Sequence, residues 1–511
     1  MKDKNFFITT PIYYPSGEPH IGHAYSSIIA DVFARFKRND GWNVHFLTGT
    51  DEHGLKIQKA AEKANLDPLT YCNNISKVFR SLSKKLNLSN DDFIRTTEKR
   101  HKVSVNDLWQ RLLKSGDIYL SKYKGWYSIS DEAYYNEDEI IDKDGKKVSA
   151  FSGSLVDWVE EESFFFKLSS WEKKLLEFYE KNKKFILPLS RRNEVINFVK
   201  NGLKDLSVSR TSFTWGIKVP NSNNHVIYVW LDALTNYLSA LNYPNINDKL
   251  YKNFWPASLH VIGKDILRFH AIYWPAFLLA AKIEPPKRIF GHGWILSGDE
   301  KMSKSKGNIL NPIEIVNNYG IDEIRYYLMK EVSHGSDGNI SLNSLENCIN
   351  SDLANNYGNL CQRVFAFIKN NCSNSIKKNT NISQSDKKII KQTFDLTKNL
   401  RDLIENQDLN NYIKSVINIS FLTNKYINDE EPWKLKKDNI KKMNNILHLA
   451  LEQIAKISIL LNPIIPLATD KVLEALNIKS ELRNNSFLDG KKIIPDKINI
   501  RPLNILFKKI N

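Results

Sequence analysis

Two histidines three positions apart, in Pro19-His20-Ile21-Gly22-His23, stand where a strand-like run ends and a helical spacing begins. At a helix mouth the backbone N–H groups and the helix dipole favour a phosphate, and Gly22 leaves room for close approach. Two imidazoles there can donate hydrogen bonds to phosphate oxygens as charge builds up in a transition state. Taken alone, the pair reads more readily as a helix cap with two surface histidines. It is not a dinucleotide fingerprint, because no G-x-G-x-x-G follows the strand. The second constellation is Lys301-Met302-Ser303-Lys304-Ser305-Lys306-Gly307-Asn308, after Gly291-His292-Gly293 and Gly298. A lysine-dense loop can close over a polyphosphate and neutralise a pyrophosphate leaving group. Most lysine clusters are solvated loops or localisation tracts, but a given five-letter string arises by chance in roughly one chain of this length in several thousand.

The elements that must position these groups alternate between strand and helix. Asn5 to Thr10 is short, aromatic and β-branched, and Pro11 and the turn formers Pro15, Ser16, Gly17 and Pro19 end it. Apolar residues then recur at Ile21, Ala24, Ile28, Val32 and Phe36 until Asn39-Asp40-Gly41 stops the helix. A second strand, Asn43 to Thr48, runs into Gly49-Thr50-Asp51-Glu52-His53-Gly54 and a helix from Leu55. The alternation resumes at Val226 to Val229 with a helix from Trp230, at Leu259 to Ile262 with a helix from about Asp265, and at Arg288 to Phe290. This pattern predicts an α/β fold with a parallel sheet and ligands at the carboxyl ends of its strands. Residues 116–225 have a different, aromatic and charged texture and read as an inserted domain. After about 345 the pattern is helical, with a stripe at Leu447, Leu451, Ile454, Ile457 and Leu461 stopped by Pro463 and Pro466. A tail from about Asn485 is expected to pack back through Ile500, Leu503 and Phe507.

Composition bounds the function classes. The 511 residues carry 73 Lys and Arg against 57 Asp and Glu, a net charge of +16, and 42% are hydrophobic. That is enough for two to four packed domains and excludes wholesale disorder, collagen-like repetition and a coiled-coil rod. The excess of Lys and Arg attracts polyanions such as nucleic acid, although much of it is Lys interleaved with Asn. No apolar run reaches the length of a membrane span, and Met1 to Phe7 lacks a secretory h-region. Cys72, Cys348, Cys361 and Cys372 form no C-x-x-C pair, which disfavours a disulfide scaffold and fits a reducing compartment.

The two constellations together resemble the class I aminoacyl-tRNA synthetases, whose H-I-G-H and K-M-S-K-S signatures bind ATP on either side of a Rossmann-like fold. Three further stretches narrow the resemblance to the methionyl-tRNA synthetases: Thr10-Pro11-Ile12-Tyr13-Tyr14-Pro15, Gly49 to Gly54, and Tyr228-Val229-Trp230-Leu231-Asp232-Ala233. Ile262-Gly263-Lys264-Asp265-Ile266, Phe269-His270 and Glu431-Pro432-Trp433 extend it over essentially the whole chain. It implies a Rossmann-like catalytic domain in two halves (1–115 and 226–290), an inserted connective domain (116–225), a lysine-loop and stem-contact region (291–345), and an all-α helix-bundle anticodon-binding domain with a C-terminal tail (346–511).

Carried over by position, the resemblance implies that His20, Gly22, His23, Gly263, Asp265, Lys301 and Lys304 contact ATP, with His20, His23, Lys301 and Lys304 catalytic. It places methionine against Pro11, Ile12, Tyr14, Trp230, Ala233, Leu234, Tyr237 and His270, aromatic walls that suit a polarizable thioether. Asp51 would hold the substrate ammonium, and Arg210 would pair with that aspartate, since a buried carboxylate needs a partner. Trp433 would stack on an anticodon base, with Asn355 and Arg363 as candidates for reading base edges. The implied partners are methionine, ATP with magnesium, and initiator and elongator tRNA(Met). The implied location is a bacterial cytoplasm or an organellar matrix. Homocysteine, close to methionine in shape, is expected to be cleared by cyclisation of its adenylate to a thiolactone.

The sequence departs from the family where some relatives carry a zinc knuckle: Ser128 and Asp131 stand where cysteines would sit, and no cysteine lies between 73 and 347. Lacking four thiolate or imidazole ligands, the insert is expected to hold no structural zinc. The chain also stops soon after its helical half, from which a monomer without a membrane partner is expected. Three alternatives stay open: a synthetase for leucine, isoleucine or valine, which carries a much larger insert; a small-molecule nucleotidyltransferase, which has no use for the helical half; and a catalytically dead RNA-binding scaffold.

Overall fold

The computed structural model describes residues 4–510 apart from 130, 132, 136, 151, 298–299, 302–310, 334 and 380–381. Its central sheet has six strands in the order Asp92–Arg95, Asn43–Thr50, Asn5–Tyr13, Leu259–Gly263, Ile289–His292 and Ile186–Leu187, all paired in parallel. From Asn5–Tyr13 the chain builds outward first to one side and later to the other. The topological switch point therefore lies between Asn5–Tyr13 and Leu259–Gly263, where an open α/β sheet leaves a crevice.

The first strand is longer than its sequence suggests. It passes through Pro11 and ends at Tyr13, and its register against Asn43–Thr50 shifts between Thr9 and Ile12. Proline has no N–H for the ladder, so the pairing slips at that point rather than ending. The helix Ile21–Asn39 follows as expected, with an almost continuously buried face from Ile21 to Ala34.

Residues 116–225 are not one separate unit. Ile118–Ser128 and Asp157–Phe166 form a long antiparallel ribbon, from Ile118 opposite Phe166 to Tyr127 opposite Asp157, flanked by Leu206–Ser207 and Ala133–Tyr135. Between the ribbon and Leu206, however, the chain returns to the main body and supplies the edge strand Ile186–Leu187, paired with Ile289 and Phe290. Two residues carry too little pattern to reveal a strand in sequence. Val226 is likewise in a strand, Ser222–Ile227, but this belongs to a small antiparallel sheet with Ser209–Arg210 and Lys218–Val219.

Past 342 the chain is mainly helical. Leu409–Glu430 and Ile440–Leu461 pack together, with Gln384–Thr397 and Asn359–Asn371 against them. Leu447, Leu451, Ile454, Ile457 and Leu461 are all buried. Each such side chain contributes about 1.5–3 kcal/mol by leaving water. The tail pairs back through Lys497–Asn499 onto Ser375–Lys377, and Ile500 and Phe507 are buried. Among the described residues no helix is long and apolar enough to cross a membrane.

One buried ion pair joins the two halves. Arg325, on the helix Ile321–Glu331, donates to Asp31 Oδ2 at 2.6 Å, and both side chains are fully buried. Arg325 also donates to the carbonyls of Pro463 and Ile464 at 2.8 Å each and of Leu86 at 3.1 Å. Asp31 takes further bonds from Arg35 and from the Ser89 backbone and hydroxyl. Burial alone would raise the Asp31 carboxyl, but Arg325, Arg35 and the Ser89 donors outweigh it and hold it below the usual range. Arg325→Met is expected to lower the unfolding free energy by about 3–5 kcal/mol in urea titration, because it leaves a buried charge short of its partner. Removing both charges in Asp31→Leu with Arg325→Met is expected to recover much of that loss.

Candidate active site

A cavity of about 460 Å³ opens at the switch point. One wall is the end of the first strand, Pro11 to Tyr14, and the facing wall is Gly263 to Ile266. His20, Gly22 and His23 line it from the mouth of the helix Ile21–Asn39. The local geometry fixes their protons. His20 Nδ1 accepts from the Gly22 backbone at 3.1 Å, and His23 Nδ1 accepts from the His20 backbone at 3.0 Å. A ring that accepts at Nδ1 carries its proton on Nε2 when neutral, so each imidazole brings an N–H donor to the site. Cap and cavity wall are thus the same two side chains.

The opposite end of the cavity is aromatic. Trp230 lies flat on Phe269, with ring centroids 3.6 Å apart and planes 12° apart. Ile12, Tyr14, Ala233, Leu234, Tyr237 and His270 complete this wall. His270 sits in a π-helical turn, Phe269–Tyr273, a local widening that often marks a functional site. Its Nδ1–H donates to the Ile266 carbonyl at 2.9 Å, which leaves Nε2 to accept from the Tyr237 hydroxyl at 2.8 Å. Burial pushes the His270 imidazole down to about 4, against the smaller opposing effects of the Ile266 bond and Asp265. Neutral histidine therefore faces the cavity at physiological pH.

Asp51 is buried beyond the strand Asn43–Thr50, lines the same cavity, and donates its backbone N–H to Tyr13 O at 2.9 Å. Arg210, expected to pair with it, is also buried and is not among the residues that line the cavity. Its guanidinium forms an ion pair with Glu161 and lies 4.0 Å over the Tyr127 ring. Asp265 accepts from Trp294 Nε1 at 3.3 Å, and Lys264 bridges to Asp337 at 2.6 Å while covering the Trp294 ring. Gly293 is required by close approach, since a Cβ there would lie 2.0 Å from the Ser336 carbonyl oxygen.

Lys301 belongs to the short strand Glu300–Lys301, paired with Ile295–Ser297 directly after the cavity-lining Trp294 and Ile295. Its side chain and Lys304 lie outside the described residues. In the helical half, Arg363 and Trp433 come together: the guanidinium carbon is 4.8 Å from the indole centroid, and Trp433 is 40% exposed. Asn355 is exposed on the turn Ile349–Gly358. Where a zinc knuckle would sit, Asp131 accepts from the hydroxyls of Tyr135 (2.7 Å), Ser154 (2.8 Å) and Ser152. Among the described residues no group of three or more His, Cys, Asp or Glu is placed to hold a metal ion.

Several lining residues escaped the sequence reading. Trp294 had a faint signal in the glycines before it, and Asn236 lies within the Trp230 helix region. Asp131, Tyr135 and Ser152 had none, because they reach the cavity from the insert.

The fold and this cavity define a class I aminoacyl-tRNA synthetase, and the family comparisons agree. Residues 6–365 match the model for tRNA synthetases class I (M), and residues 376–511 match that for the anticodon binding domain of methionyl tRNA ligase. The methionine–tRNA ligase of Rickettsia felis is 51% identical over 94% of this chain and 93% of its own length. That of Rickettsia conorii is 48% identical over 99% of both chains. The Mycobacterium tuberculosis methionyl-tRNA synthetase in complex with methionyl-adenylate superposes with a TM-score of 0.96 at 40% identity, covering 99% of each chain. Its apo form gives 0.89 at 37% identity, covering 99% of this chain and 98% of its own. The chain belongs to the methionine–tRNA ligases.

The His270 geometry has a pH consequence. Below about 6.5 the unfolded chain binds a proton at this imidazole that the folded protein refuses until about 4. Stability therefore declines as pH falls through that window. Urea midpoints measured across it are expected to fall less steeply for His270→Gln than for the unsubstituted protein.

Proposed function

We infer that this chain activates methionine with ATP and transfers it to the 3′ end of tRNA(Met), initiator and elongator alike. The observation that carries this reading is the meeting, in one cavity at the sheet's switch point, of two imidazole N–H donors, a buried carboxylate and an aromatic wall.

The methionine carboxylate attacks the α-phosphorus of ATP in line. The bond from that phosphorus to the bridging oxygen breaks, pyrophosphate leaves, and methionyl-adenylate remains. The nucleophile is already an anion, so no general base is needed; positioning and charge stabilisation supply the catalysis. His20 and His23 donate to phosphate oxygens, and Lys301 and Lys304 neutralise the departing pyrophosphate. ATP would enter as its magnesium complex, whose metal screens phosphate charge and needs few protein ligands. Asp51 receives the substrate ammonium, with Arg210 balancing charge, and Trp230, Tyr237 and His270 enclose the thioether. In the second step the 2′ hydroxyl of the terminal adenosine attacks the activated ester and releases AMP. Arg363 and Trp433 offer a stacking platform to an anticodon base. This reading includes a monomer working in a bacterial cytoplasm, and the relatives named above are bacterial.

Amino-acid-dependent ATP–pyrophosphate exchange tests the first step: methionine alone of the twenty is expected to support it, and Lys304→Ala to abolish most of it. Exchange with no amino acid would overturn the reading. Trp433→Ala is expected to lower kcat/KM for tRNA by the equivalent of about 1–3 kcal/mol in charging assays. That loss should be absent from pyrophosphate exchange, which needs no tRNA.

A further inference from the structure

Asp232 is fully buried and does not line the cavity, yet it joins two parts of the site to a helix outside it. Its Oδ2 is 2.7 Å from His53 Nδ1, and its Oδ1 is 2.6 Å from His101 Nε2. His53 closes the turn that carries Asp51. Asp232 lies between Trp230 and Ala233 on the helix Val229–Leu234, and His101 sits on the helix Lys99–Lys114.

The hydrogen-bond directions follow from the partners. The Ser239 hydroxyl lies 2.9 Å from the Thr235 carbonyl and 3.0 Å from His101 Nδ1. His101 donates from Nε2 to the Asp232 carboxylate and meets the Ser239 hydroxyl at Nδ1. His53 donates to the second carboxylate oxygen, and its backbone carbonyl accepts from the Tyr14 hydroxyl at 2.8 Å. A continuous brace thus runs from Tyr14 through His53 and Asp232 to Trp230 and Ala233, all around the aromatic end of the cavity.

We propose that Asp232 is a positioning residue for methionine activation: its carboxylate, shared between His53 and His101, sets the spacing between the Asp51 turn and the Trp230 helix. The proposal rests on the methionine reading of the cavity. Only a carboxylate satisfies two N–H donors arriving from different elements. Asparagine of the same size offers one acceptor and turns an N–H against the other imidazole. The brace touches the methionine walls and not the His20–His23 mouth, so its loss is felt by one substrate and not the other.

The test is pyrophosphate exchange on the full chain, with methionine and ATP varied separately and melting followed in parallel. Asp232→Asn and His53→Leu are expected to raise KM for methionine about tenfold or more while KM for ATP stays within about twofold. His53→Asn, whose Nδ2–H takes the place of the imidazole Nδ1–H, is expected to restore KM for methionine to within about threefold of the unsubstituted value. If Asp232→Asn does not fold, the two His53 variants decide alone. Equal impairment of His53→Asn and His53→Leu, or an equal rise in both KM values, would overturn the proposal. Failure of the unsubstituted protein to exchange with methionine would instead remove the functional reading itself, an outcome visible before any variant is made.

Discussion

The catalytic sheet and the helical half are held in register by a charge that cannot reach water. Arg325 spends its guanidinium on Asp31, on the Leu86 carbonyl and on the two carbonyls of the Pro463–Ile464 turn. Both ions have left solvent, and an unpaired ion in the interior costs several kcal/mol, so these segments cannot separate one at a time. The helix Ile21–Asn39 is thereby pinned at Asp31, some two turns beyond the histidines at its mouth. The position of His20 and His23 over the crevice depends on where that helix lies, and hence on a contact made far from any phosphate.

Around that frame, the site divides its chemistry between two ends. At the helix mouth, backbone N–H groups are taken up by imidazole Nδ1 atoms, so the two lining histidines carry their ring protons on Nε2 when neutral. At the other end, polar groups are neutralised among themselves: Tyr237 donates to His270, and His270 to a carbonyl. What remains there is polarizable, uncharged surface, the environment a thioether prefers to water.

Most of this was legible in sequence because function demands specific letters at fixed spacing: His20 and His23, the Asp51 turn, and the Trp230 to Tyr237 helix region all converge on one cavity. The parallel sheet was legible because short β-branched and aromatic runs alternate with stretches of helical spacing. What could not be read has a common physical cause, namely partners supplied by tertiary structure. The edge strand Ile186–Leu187 is two residues long and exists only because Ile289 and Phe290 offer a ladder. Pro11 ends strands by its own chemistry, yet a shifted register lets this one continue. Val226 has strand character in sequence, but nothing in its letters distinguishes the small antiparallel sheet from the parallel one. The Glu161 and Tyr127 contacts of Arg210 come from the ribbon, which no local pattern announces.

The Arg363–Trp433 contact bears on how an exposed aromatic ring can be selective. A free indole on a surface samples several rotamers and offers both faces, so any planar ligand must first pay to immobilise it. Here the guanidinium lies over one face, which restrains the ring before anything binds and takes that face out of use as a platform. A strand of stacked bases cannot thread past a ring covered on one face; it can only terminate on it. On the reading of Trp433 as an anticodon platform, the pair would define a position along a single strand, and a register for whatever is read beside it, without a single hydrogen bond to a base.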